Sequence, residues 1–148
     1  MLFSIIVTAL NPGNKMERTV RSILNQSYTD YEIIVKDGGS KDGSLEKLPK
    51  NDKIKVFCKK DSGIYEGMNQ AIEESTGEYL LFLNCGDTFF NEEVLKNTVE
   101  NMKMHHVLVD SVVNEKIPEE SNIFYGDTFC EQTVELETSP PVINAFSC

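Results

Sequence analysis

The sequence predicts an α/β fold, a mostly parallel sheet flanked by helices, with residues 1–148 forming a single domain. Three observations predict it. Apolar, β-branched runs alternate along the chain with segments of helical periodicity. The first run is continuous rather than alternating, as a strand buried on both faces requires. Four of the runs stop at polar, mostly acidic clusters, and a parallel sheet gathers such strand ends along one edge.

Phe3 to Ala9 is the first strand, broken by Asn11-Pro12-Gly13-Asn14. Met16, Val20, Ile23 and Leu24 then recur at helical spacing and predict an amphipathic helix over residues 15–26. Tyr31 to Lys36 is the second strand, and Ser40 to Leu48 a short helix stopped by Pro49. Ile54 to Lys59 is the third strand. Ile64, Met68, Ala71 and Ile72 mark the second clear helix, with Gly77 suited to a left-handed C-terminal cap. Tyr79 to Leu83 is the fourth strand. Asn91 reads as an N-cap with Glu92 and Glu93 in the first turn, and Val94, Leu95, Val99 and Met102 as the buried stripe that follows. Val107 to Asp110 and Asn122 to Tyr125 are shorter strands, joined by a polar connection holding Pro118. From Cys130 onward the pattern weakens, and Pro140-Pro141 excludes regular structure.

At 148 residues the chain can bury one substantial core. Its net charge of -10, from 14 Lys and Arg against 24 Asp and Glu, excludes nucleic acid and anionic membrane as non-specific partners. The same charge means that a phosphorylated ligand must be met by local donors or a bound cation. Cys58, Cys85, Cys130 and Cys148 never fall in CxxC spacing, and His105-His106 are the only histidines, so zinc is not expected. Reduced thiols in a cytoplasmic protein account for them. The opening Met1 to Val7 lacks a basic flank and reads as strand rather than signal peptide.

The chemistry is expected at the strand ends. The first supplies Thr8 and Asn11, the second Asp37 and Asp42, the third Asp61-Ser62-Gly63, and the fourth Asn84-Cys85-Gly86-Asp87. Carboxylates gathered on one edge repel, and a divalent cation bridging a phosphorylated ligand would offset that cost. The plainer account of the segment after Val35 is a strand-to-helix turn with Asp and Ser as caps.

Phe3 to Thr8, Glu32 to Ser44, Asp61 to Asn69 and Gly77 to Asp87 resemble, in this order and spacing, family-2 glycosyltransferases of the GT-A fold. The resemblance is strongest to bacterial polysaccharide enzymes of the colanic-acid type. It implies a Rossmann-like, nucleotide-sugar-binding domain that moves a sugar from a nucleoside-diphosphate sugar, a UDP-sugar, to an acceptor hydroxyl with inversion. It implies that Thr8 and the backbone at Ala9, with Asn11, line the nucleotide pocket, that Asp37 accepts from the base, and that Asp42 orders the same loop. Asp61, Tyr65 and Asn69 would lie beside the diphosphate and sugar. Many relatives carry Asp-x-Asp-Asp where this chain has Asn84-Cys85-Gly86-Asp87. Asp87 is therefore the expected ligand of Mg²⁺ or Mn²⁺, assisted by the Asn84 carbonyl oxygen.

The general base is expected beyond Cys148, where members of the family continue and supply the acceptor side, so the chain reads as truncated after about residues 130–148. Asp127 is the one late candidate within it, with loop capping the plainer account. The expected partners are the donor and a glycan or lipid-linked sugar acceptor, with inner-face membrane association through segments outside this chain and a homodimer through an uncovered sheet edge. Three rival readings are a nucleotidyltransferase, an acidic-pocket receiver with Asp37 as phosphoacceptor, and an inactive nucleotide-binding fragment. The first wants a more basic loop than Asn11 to Lys15. The second wants a lysine ending a late strand, and Asp110 stands there instead.

Overall fold

A computed structural model of the chain describes residues 1–102 and the backbone of two short strands farther on. The chain divides into two compact units, Met1–Glu100 and Asn101–Cys148. The first unit runs β1 (Phe3–Ala9), α1 (Lys15–Leu24), β2 (Tyr31–Asp37), a 3-10 turn (Leu45–Lys47), β3 (Ile54–Cys58), α2 (Ile64–Glu73) and β4 (Tyr79–Phe82). A further helix begins at residue 94. The second unit contributes β5 (Thr128–Cys130) and β6 (Glu135–Glu137), an antiparallel pair in which Phe129 faces Leu136 in register.

The sheet is parallel throughout, in the order β3-β2-β1-β4. This is the predicted α/β architecture. Ile5 pairs with Ile33 on one side and Leu81 on the other, so β1 lies at the centre and its apolar run is covered on both faces. One face presents Ile6 and Ile34 to Ala71 of α2, with Phe57 packed at the margin. The other carries α1, where the Tyr31 hydroxyl donates to the Ile23 carbonyl at 2.9 Å. Alternation along each strand sorts residues between these two helices.

Several expectations need correction. The helix expected over Ser40 to Leu48 is reduced to the single turn Leu45–Lys47. Asp37 and Asp42 take the backbone N–H groups of Gly39, Ser40 and Ser44, and Gly43 sits at φ +73°, so the loop satisfies itself without helical bonds. The inward face of the second helix is shifted from the expected one: Ala71 is buried and Met68 half-buried as its spacing requires, but Gly67 and Gln70 join them while Ile64 and Ile72 are exposed. Gly77 is not a left-handed cap. A Cβ there would lie 2.5 Å from the Ser4 nitrogen, so its role is close approach to β1. Beyond Cys130, where the pattern weakens, β6 forms. The strands expected at Val107 to Asp110 and Asn122 to Tyr125, together with His105, His106, Asp127 and Pro140-Pro141, lie outside the described residues.

Candidate functional site

The chain winds outward from β1 to β2 to β3, then returns to place β4 on the far side of β1. Strand order thus reverses between β1 and β4, and the loops leaving their carboxyl ends part in opposite directions, which opens a crevice there. A cavity of about 600 Å³ occupies that position. Thr8, Ala9, Asn11, Asp42 and Asn84 line it, five of the residues predicted for the site, along with Lys15, Ile64 and Cys85.

Its floor and one wall are two loops fastened together. The Asn11 N–H donates to Ser40 Oγ at 2.7 Å, and Asn11 Oδ1 accepts from the Lys41 N–H at 2.9 Å. Asn11 holds a left-handed backbone, φ 49°, a conformation asparagine tolerates better than most residues. Asp42 accepts from the Gly13 N–H at 2.7 Å, and Lys47 Nζ donates to Asn14 Oδ1 at 2.7 Å. Ser44 and Gly13, each donating a backbone N–H to it, hold the Asp42 carboxyl below the usual carboxylate range.

Asp37 ends β2 fully buried. Burial alone would raise its pKa, but the Ser40 hydroxyl, the N–H groups of Ser40 and Gly39 and the Cys58 thiol outweigh it and keep the group ionised. Asp61, just beyond β3, is clamped by Lys36, whose buried ammonium also donates to the Lys59 carbonyl at 2.7 Å. Two glycines make room for that pair. A Cβ on Gly38 or on Gly67 would come within 3.3 Å of Asp61 Oδ2. Mutual repulsion among the acidic strand ends is therefore relieved at Asp61 by a buried lysine.

Thr8 and Asp37 lie at the carboxyl ends of β1 and β2, and Asp61 and Asp87 follow those of β3 and β4, so the topology gives them one rim. Within that rim the structure separates them. Asp37, Asp61, Tyr65, Asn69 and Asp87 do not line the cavity. Tyr65, 80% exposed, and Asn69 sit one helical turn apart on α2, beside the cavity-lining Ile64. Asp87 is exposed. Its N–H donates to the Asn84 carbonyl at 2.9 Å, and its own carbonyl accepts from Thr19 Oγ1 at 2.8 Å. The Gly86 N–H donates to the same hydroxyl at 2.8 Å, so Thr19 of α1 fixes the turn.

Among the described residues no group of three or more His, Cys, Asp or Glu could enclose a metal ion. The donors fit a looser arrangement, in which one carboxylate and the ligand's own phosphate oxygens share a hard cation. Asp87 is exposed and has no ion-pair partner among the described residues, so its carboxylate is open to such a role. Burial pushes the Cys85 thiol up, which leaves it protonated and unsuited to nucleophilic attack.

Sequence reasoning missed Lys15 and Lys36. The signal for Lys36 was a lysine ending an apolar strand, since a buried ammonium demands an acid partner. Lys15 was legible only as the first helical residue after Pro12-Gly13-Asn14.

The sequence model described as Glycosyl transferase family 2 matches residues 4–140. A PGL/p-HBAD biosynthesis glycosyltransferase from Mycobacterium tuberculosis is 29% identical over 137 residues, covering 89% of this chain and 48% of that protein. An uncharacterized glycosyltransferase from Rickettsia bellii is 33% identical over 137 residues, 85% of this chain and 20% of its own. The chain thus spans about half or less of these curated relatives. Among solved structures, S. aureus TarS 1-349 in complex with UDP-GlcNAc superposes with a TM-score of 0.64 at 27% identity, over 72% of this chain and 32% of that one. The mannosyltransferase PcManGT from Pyrobaculum calidifontis, in complex with GDP-Man and Mn²⁺, shares the fold at TM-score 0.58 and 21% identity, over 66% of this chain and 31% of its own. Among the described residues no helix is long and apolar enough to cross a membrane.

Proposed function

Since this chain belongs to glycosyl transferase family 2, we propose that its crevice binds a nucleoside-diphosphate sugar, a UDP-sugar, for inverting transfer to an acceptor hydroxyl. The product would be a bacterial polysaccharide or cell-surface glycan, of the colanic-acid type. The observation that carries this reading is the cavity at the β1/β4 reversal, walled by Thr8, Ala9, Asn11 and Asn84. The complex of TarS with UDP-GlcNAc supports the choice of donor class.

In this reading Thr8 and the Ala9 backbone flank the nucleoside, and the interlocked Asn11 and Asp42 loops keep that wall rigid. Asp37, buried behind the cavity lining, would receive the base N–H once the Ser40 hydroxyl, a donor that can rotate, turns away. Tyr65 and Asn69 reach the donor sugar from the rim of α2, and Asp61, steadied by Lys36, stands behind them. Asp87, with the Asn84 carbonyl oxygen, would hold Mg²⁺ or Mn²⁺, which supplies positive charge to a departing diphosphate when bound. The residue that takes the acceptor's proton lies outside the described residues, Asp127 being the candidate within this chain. The acceptor is a glycan or lipid-linked sugar, met at the cytoplasmic face of the membrane, and the exposed β3 edge offers a route to a homodimer.

Calorimetric titration of UDP, ADP and uridine, with and without Mn²⁺, tests it. UDP is expected to bind at least tenfold more tightly than ADP, and failure of every nucleoside diphosphate to bind ends the proposal.

A further inference from the structure

Given the nucleoside-diphosphate reading of the crevice, on which this rests, we propose that Lys15 is a diphosphate-binding residue that supplies cationic charge the segment after β4 does not. Lys15 opens α1 and is the only basic residue among the described residues that line the cavity. Its stem crosses Gly86, where an added Cβ would meet Lys15 Cδ at 3.4 Å and its Cβ and Cγ at 3.9 Å. The lysine stem thus lies in van der Waals reach of the Gly86 turn, whose φ of +110° favours glycine. Lys15 lines the cavity together with Asn84 and Cys85, on the wall that would face a diphosphate.

Among the described residues no carboxylate forms an ion pair with Lys15, and no side-chain hydrogen bond engages its ammonium. Its neighbours differ in this respect. Lys36 is committed to Asp61 and the Lys59 carbonyl, and Lys47 to Asn14. The need for such a cation is plain from the whole chain, since a net charge of -10 repels a polyanionic ligand. A lysine suits the task because its compact, rotatable ammonium binds phosphate as a point charge. Lys15 then shares the neutralisation with whatever ion Asp87 holds, and UDP binding persists when divalent cations are removed.

The test compares UDP and uridine binding to the chain, to Lys15→Met and to Lys15→Arg, in EDTA and in Mn²⁺. Lys15→Met is expected to weaken UDP binding in EDTA roughly 10- to 100-fold, the worth of a charged hydrogen bond. Uridine affinity should not change, and Lys15→Arg should recover most of the loss. Equal UDP affinity in the chain and Lys15→Met overturns the assignment, as does an equal loss for uridine. UDP binding by the unsubstituted chain that requires Mn²⁺ also overturns it. Absence of UDP binding by all three proteins overturns the nucleoside-diphosphate reading itself, a result distinct from a loss confined to Lys15→Met.

Discussion

Glu32 shows how a single buried charge is stabilised in this sheet. It is 1% exposed near the start of β2, at the opposite edge from the crevice. Burial opposes its charge, but the Lys55 ammonium, the Ser4 hydroxyl and both donors of Thr76 prevail and hold its pKa at about 2, from 4.5. A carboxyl depressed on folding stabilises above its unfolded pKa and loses that contribution as pH falls through the folded value. Stability should therefore decline between about pH 4.5 and 2, with Glu32 supplying about 3 kcal/mol of the difference. Urea midpoints at pH 7 and pH 3.5 check this: Glu32→Gln should be destabilised at pH 7 and show a flatter acid limb. Lys36 makes a second case. Lys36→Met, which strands Asp61, should cost about 3 kcal/mol, whereas adding Asp61→Leu should restore part of it. A double-mutant cycle reads the coupling. Gly77→Ala should cost about 2 kcal/mol or more in the same assay, since its methyl would strike the backbone of β1.

At the scale of elements, the strands and the first helix were legible because apolar runs and 3.6-residue spacing are dictated by burial. Phe3–Ala9 and Lys15–Leu24 emerge close to their predicted bounds. The loops were less legible, because side-chain bonds between residues about thirty apart shape them. Asn11 and Asp42 each fasten one loop to the other, and no local pattern announces it. Gly77 was singled out for a cap and serves a close contact instead; glycine marks a backbone need without saying which. Asp42→Ala should leave global unfolding nearly unchanged while speeding hydrogen exchange at the Gly13 amide, which loses its acceptor. Unchanged exchange at Gly13 would mean that the loop does not depend on that bond.

For the whole molecule, the order β3-β2-β1-β4 decides where a ligand can sit, and the acidic balance decides what must accompany it. Predicted site residues line the crevice or border its rim because parallel strands deliver them to one edge. Which of them remain free for a ligand follows from tertiary pairing, as with Asp61 and Lys36. Asp87→Asn should remove most of any gain in UDP affinity produced by Mn²⁺, about tenfold, while leaving binding in EDTA in place, as calorimetry would show. The most direct test of the central claim is amide chemical-shift mapping during a UDP titration. Shifts should concentrate at Thr8, Ala9, Asn11, Lys15 and Asn84 around the β1/β4 crevice, and leave Glu32, Thr76 and Gly77 at the opposite edge unmoved. Shifts gathered at that opposite edge, or none at saturating UDP, would contradict the account.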